Sequence, residues 1–219
     1  MGHIMEKSIS LGFVSEENLA RPTERKDAAA NRQLLMDTAR DLFATAGVAE
    51  VTMADIAKEA GVGKGTLYRR FAHKGELCLA LLDKQLQTFQ DRTLAHLREM
   101  TSTHQPYLVQ LDYFLDELVH FITANLPLMC EIDRSPMPPE GLVQDVNQPH
   151  YWQEMTVRGL LMRAAQAGEL SRELDIDYFA SALMATLNAS VLRHQLEVNS
   201  FTVVRISAGL RQLVQQFSP

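Results

Sequence analysis

Three features of the chain predict an all-α fold. Apolar residues recur at spacings of three and four in segment after segment. Glycine, proline and small hydroxyl or acidic residues fall between those segments, where helices start and stop. The period-two alternation of a half-buried strand appears nowhere, and no internal repeat is present. The 219 residues suffice for one or two domains, and 46% hydrophobic content argues against disorder.

In chain order, residues 1–20 show little periodicity and are expected to be a mobile N-terminal segment. Arg21–Lys26 is a short basic arm, read equally well as a phosphate-contacting strand or as a solvated terminus. A first helix is predicted over about Ala28–Ala46, with Leu35, Ala39, Leu42, Phe43 and Ala46 as its stripe and Gly47 as its stop. Thr52 suits the cap of a second helix carrying Ile56, Ala57 and Ala60 on one face, and Gly61 suits a left-handed end. After Gly63, a third helix is predicted over roughly Lys64–Phe71, with Leu67 and Phe71 inward.

A long helix should follow from about Lys74 to Met100, and its start is weakened by His73 and Gly75. Pro106 sits near the first turn of a helix that ends near Asn125. Pro127–Ile132 holds one or two turns, and Arg134–Gln148 reads as a loop or gate. Tyr151–Ala167 is helical and closed by Gly168. Asp175 caps a continuous helix over Ile176–Glu197, and the last helix covers about Phe201–Phe217.

Net charge is −6, yet its distribution is uneven. Residues 21–75 carry ten Lys/Arg against seven Asp/Glu, whereas residues 76–219 carry ten against seventeen. A modestly basic end on an acidic body orients the chain toward a polyanion. Cys78 and Cys130 form no spaced motif and suggest reduced, buried thiols. The start of the chain lacks a signal-peptide pattern, and a cytoplasmic location is expected. No stretch is apolar for long enough to span a bilayer. No metal-ligand spacing, P-loop, dinucleotide glycine motif or nucleophile elbow is present, so neither catalysis nor a cofactor is expected.

The outer face of the third helix carries Lys64, Thr66, Tyr68, Arg69 and Arg70, a donor-rich surface on a helix small enough for a DNA major groove. The surrounding string closely resembles the helix-turn-helix of the TetR family of repressors. The resemblance is carried by Thr52, Ile56, Ala57, Gly61, Val62, Lys64, Gly65, Thr66, Leu67, Tyr68, Phe71, Lys74 and Leu77. Ala39, Phe43 and Gly47 extend it upstream. Gly63, His73 and Gly75 depart from the family pattern.

The resemblance implies a three-helix DNA-binding domain over 21–75 and a helical ligand-binding and dimerisation domain over 76–219. It implies a ligand-responsive transcriptional regulator of repressor type, a homodimer on a double-stranded operator, with no membrane partner. DNA-binding candidates are Thr52, Lys64, Gly65, Thr66, Tyr68, Arg69, Arg70 and Lys74, with Thr52, Lys64 and Lys74 on phosphate. Whether Arg69 or Arg70 reads bases stays open.

Candidate effector-pocket residues are Phe114, Met129, Trp152, Met155, Met162 and Met184, with His120, Arg163, Asn188 and His194 as polar anchors. Five of the ten methionines lie between 129 and 184, which favours a hydrophobic or aromatic effector. Dimer-interface candidates are Phe179, Leu183, Leu187, Leu210, Leu213 and Phe217. Each of these apolar residues is also explained as ordinary core. A helical lipid- or ligand-binding protein that does not regulate DNA is the alternative.

Overall fold

The computed structural model describes residues 17–134 and 149–217, with side-chain surroundings described from residues 27 and 151 onward in the two segments. Among the described residues the regular structure is helical throughout, as the periodicity predicts. The helices are α1 (Glu17–Ala46), α2 (Met53–Glu59), α3 (Lys64–Tyr68), α4 (Lys74–Ser102), α5 (Tyr107–Ala124) and α6 (Leu126–Asp133). They continue with α7 (Pro149–Ala167), α8 (Ile176–Thr186), α9 (Ala189–Glu197) and α10 (Val203–Gln215).

Two apolar cores form. The smaller joins α1, α2, α3 and the start of α4 through Leu35, Ala39, Ile56, Leu67, Phe71 and Leu77. The larger gathers α4 to α10 around Leu82, Leu111, Phe114, Leu118, Leu161 and Leu192. Both draw on α4. Leu77 belongs to one core and Leu82 to the other, five residues apart on one helix. α6 packs chiefly on α4 and also on α9, while α7 and α10 pack on α5.

Several boundaries differ from the periodicity. α1 begins at Glu17, so residues 17–20 and the basic arm of 21–26 continue the helix. Residues 1–16 lie outside the described residues, as do 135–148, where the loop or gate was expected. α3 is a single turn ending at Tyr68, shorter than the predicted helix to Phe71. Arg69 caps it, and the Arg70 and Phe71 N–H groups both donate to the Leu67 carbonyl at 2.9 Å. That tightening swings Phe71 under the turn, where it is 1% exposed.

The expected helix over Ile176–Glu197 is two helices. The Asn188 side chain accepts from the Ser190 N–H at 3.0 Å. The Asp133 carboxylate, 56 residues away, accepts the Ala189 N–H at 2.7 Å. Together these two acceptors satisfy a new helix start that an unbroken helix would not have. His73 and Gly75 do not leave α4 without a proper start. The Glu76 N–H donates to His73 Nδ1 at 3.1 Å, and the Glu76 carboxylate accepts from the Ala72 N–H. Gly47, Gly61 and Gly168 take φ of +87°, +67° and +78°, the left-handed ends read from the sequence.

Leu118 has no exposed surface and lies in the larger core, whereas Val204 is 73% exposed. Leu118→Ala is expected to lower unfolding free energy by about 2–5 kcal/mol. Val204→Ala should stay within about 0.5 kcal/mol. Chemical denaturation read by circular dichroism checks both.

Candidate nucleic-acid interface and its link to the larger domain

The helix-turn-helix begins with a reciprocal cap at α2. The Asp55 N–H donates to Thr52 Oγ1 at 3.2 Å. The Thr52 N–H and hydroxyl both donate to the Asp55 carboxylate, at 2.9 and 2.6 Å. Those hydrogen bonds hold the Asp55 carboxyl below the usual aspartate range, the Thr52 hydroxyl contributing most. Thr52 is exposed, but its hydroxyl is committed to the cap, which qualifies its reading as a phosphate contact.

α3 has no side-chain cap at Gly63, so its first N–H groups stay available at an exposed helix start. Leu67 is 0% exposed and anchors the turn from below. Arg32 of α1 lies over the Phe71 ring at 5.2 Å and closes the anchor from the side. On the other side Lys64, Gly65, Tyr68, Arg69 and Arg70 are exposed, with Tyr68 at 51%, while Thr66 is half-buried. One Arg69 guanidinium nitrogen lies 3.3 Å from Thr66 Oγ1, so Arg69 folds back along α3. Arg70 leaves from the following turn.

Lys74 departs from its sequence reading. Its ammonium lies 3.7 Å from the Glu131 carboxylate of α6 and 5.8 Å from the centre of the Phe43 ring. The two charged side chains are only 13% and 18% exposed. Lys74 is therefore turned inward toward a carboxylate, not outward as a phosphate contact would be. The sequence held no signal for this, because Glu131 lies 57 residues further on, in a stretch read as one or two turns. Beside this pair Cys78 is fully buried, and its thiol is pushed up to about 12, chiefly by burial, with Glu131 adding to the effect and Lys74 opposing it. Burial also raises Cys130. Both thiols are therefore poor nucleophiles near neutral pH.

The proposed effector residues do not converge on one cavity among the described residues. Phe114 and Met129 are core, at 0% and 2% exposure. Trp152 packs against Phe89 and Phe114, with ring centres 5.8 Å away in each case. Met184 is half-buried against the same core. Met162 is 43% exposed and turned outward. Met155 lines a cleft between α4, α5 and α7, together with Arg163. Asn188 caps α9, while His120 and His194 lie on the surface, so none of these three converges on a pocket.

The interface candidates also divide. Leu183, Leu187 and Leu210 are buried in the chain's own core, because α8, α9 and α10 turn those residues toward α5 and α7. Leu213 and Phe217 are 50% and 38% exposed, and Phe217 stacks edge-on against Phe179 at 4.7 Å.

Residues 35–81 match the family described as bacterial regulatory proteins, tetR family. An HTH-type transcriptional regulator from a bovine strain of Staphylococcus aureus is 41% identical over 107 residues, 46% of this chain and 58% of that protein. The chain spans little more than half the length of the curated relatives it matches. Among solved structures, FadR from Bacillus subtilis in complex with stearoyl-CoA superposes with a TM-score of 0.59 at 20% identity, covering 83% of this chain and 96% of that one. FadR from Thermus thermophilus, a TetR-family repressor in complex with lauroyl-CoA, gives 0.61 at 16% identity, with 84% and 92% covered. At such identity the superpositions establish a shared fold.

The depressed Asp55 carboxyl sets a pH dependence. Its contribution to stability is present above about pH 4, the ordinary aspartate value, and is lost as pH falls through its lower folded value. Thr52→Ala is expected to cost about 1 kcal/mol at pH 7 and to flatten the loss of stability as pH falls below about 4. Denaturation midpoints of both proteins across that range check it.

Proposed function

We propose that the chain, whose residues 35–81 match the tetR family of bacterial regulatory proteins, is a member of that family and a ligand-responsive transcriptional regulator that binds a near-palindromic operator as a homodimer. One observation carries the reading. A single helical turn exposes Lys64, Tyr68, Arg69 and Arg70 while Leu67 and Phe71 pin its other side. Such a turn presents donors for phosphates and base edges without unfolding any core. Arg70 is the stronger candidate for a guanine edge, because Arg69 is directed back onto Thr66. Lys64, Gly65 and Thr66 would bring the start of α3 to the phosphate backbone.

One turn reads few bases, so two copies are required, about 34–36 Å apart on successive major grooves. The exposed face of α8 to α10, with Tyr178, Leu213 and Phe217 and the half-buried Phe179 beside them, is the surface we assign to the second copy. Leu183, Leu187 and Leu210 support it from beneath. The division at residue 75 belongs to the same reading, while the two cores meet a little further along α4, between Leu77 and Leu82. Assignment as a repressor released by a small hydrophobic effector, in the cytoplasm and without catalysis, completes the proposal.

α6 supplies the coupling. Glu131 on this short helix grips Lys74 at the start of α4, and two residues later Asp133 grips the start of α9. A shift of α6 therefore changes the DNA side and the dimer side together. An effector acts by binding one α6 position better than the other, which shifts the population. In the DNA-bound position Lys74 leaves Glu131 for a phosphate.

A mobility-shift assay with the chain's own upstream DNA tests the reading. Tyr68→Ala and Arg70→Ala should each weaken operator binding by about tenfold or more while the melting temperature is kept. Arg69→Ala should weaken it less than Arg70→Ala. Unchanged operator binding by all three would overturn the assignment.

Glu131→Gln frees Lys74. It is expected to strengthen operator binding and to steepen the dependence of log K on log salt by about 0.9 for each protomer. A slope and affinity equal to the parent's would show that Lys74 makes no phosphate contact.

A further inference from the structure

We propose that Glu169 is a positioning residue that holds the second-copy surface of α8 and α10 in register with α5 and α7. The start of α5 has no side-chain cap of its own, since Pro106 precedes it. First-turn N–H groups have no partner within their own helix. Here the Glu169 carboxylate supplies one from 61 and 62 residues further along the chain. One of its oxygens accepts the Tyr107 N–H at 3.0 Å and the other accepts the Leu108 N–H at 2.8 Å. Two charge-assisted bonds to consecutive N–H groups form a fork, which fixes direction as well as distance. The start of α9 is built differently. Asp133 accepts a single N–H there, and Asn188 adds a local cap.

Glu169 belongs to a short connection that reaches three further helix ends. Gly168 ends α7 with a φ of +78°, and the Glu169 N–H donates back to the Ala164 carbonyl at 2.8 Å. Leu170 is 1% exposed in the larger core and pins the connection from below. The Ser171 N–H donates to the Phe217 carbonyl at 3.2 Å, just beyond the end of α10. Asp175 then accepts the Tyr178 N–H at 3.1 Å and starts α8. The Phe217 ring packs edge-on against Phe179 of α8 at 4.7 Å. The connection therefore holds the backbone of Phe217 and the first turn of the helix that carries Phe179.

Close-packed elements pass displacement on and do not absorb it. With the fork closed, the start of α5 and the ends of α7 and α10 move as one body. The ion pairs Arg211–Asp112 and Arg158–Asp177 also bridge these helices, but they are open to water, and such pairs hold geometry weakly. The half-buried fork is the stronger tie.

The inference deepens the second-copy reading and rests on it for the effect on assembly, not for the tie between α5 and α10. Two measurements on the full chain keep these apart. Glu169→Gln preserves volume but replaces one acceptor oxygen with a donor. In amide hydrogen exchange it is expected to speed exchange at Tyr107, at Leu108 and, by about tenfold or more, at Ser171. A carboxylate that only caps α5 would leave Ser171 at the parent's rate. In sedimentation equilibrium the same variant should raise the dimer dissociation constant by about tenfold or more. Phe217→Ala should raise it too, and the double variant should raise it by less than the product of the two effects. Glu169→Asp, which keeps the charge but not the reach, is the milder variant and should shift both quantities in the same direction.

An unchanged exchange rate at Ser171 would overturn the proposal. So would a dimeric parent whose dissociation constant is unmoved by Glu169→Gln, or effects of Glu169→Gln and Phe217→Ala that simply multiply. A parent that stays monomeric at every concentration would refute the second-copy reading itself, and the role of Glu169 in assembly with it.

Discussion

A single continuous helix is the constraint on which the other parts depend. α4 runs from Lys74 to Ser102, about 43 Å at the rise of an α-helix. Its inner stripe changes allegiance partway, with Leu77 packed among α1 to α3 and Leu82 packed among α5 to α10. The small core has no independent wall on that side. Three short helices of this size bury little area alone, so the orientation of the exposed α3 turn is set by where the large domain holds α4. Rigid packing makes the dependence mechanical, since close-packed interiors transmit displacement and do not absorb it.

The first residue of that helix is subject to two demands. A cation at an α4 N-terminus is well placed for phosphate, but Lys74 is folded against Glu131 and Phe43. Both charges are largely shielded from water, which makes a stranded partner costly. Lys74 can serve phosphate only when something compensates for leaving Glu131. The adjacent Asp133 ties the same short helix to the break between α8 and α9. Two carboxylates two residues apart thus join the start of α4 to the start of α9 without a long pathway of side chains.

Much of this organisation was legible in the residues. Spacings of three and four located α1 to α5, α7 and α10, and the left-handed glycines marked the ends of α1 and α7 and the turn after α2. Leu67 and Phe71 were assigned inward, with Lys64, Tyr68 and Arg70 outward, from four-residue spacing and side-chain chemistry alone. The break at Leu187 and Asn188 was not legible, since Ala-rich apolar periodicity runs through it unbroken and the acceptor that stabilises the new start lies 56 residues away. Leu183, Leu187 and Leu210 showed the same limit. An apolar stripe announces burial but does not say whether a neighbouring helix or a second copy covers it.

By itself, the sequence determined the helical class, the helix-turn-helix and the two-sided character of α3, because these follow from local periodicity, caps and turns within some twenty residues. Only the tertiary structure decided that Lys74 faces Glu131, that Asp133 begins α9, and that Glu169 caps α5. Those relations join residues roughly 55 to 65 positions apart. A one-dimensional pattern records which face of a helix is apolar, but the crossing of two helices decides which charges meet.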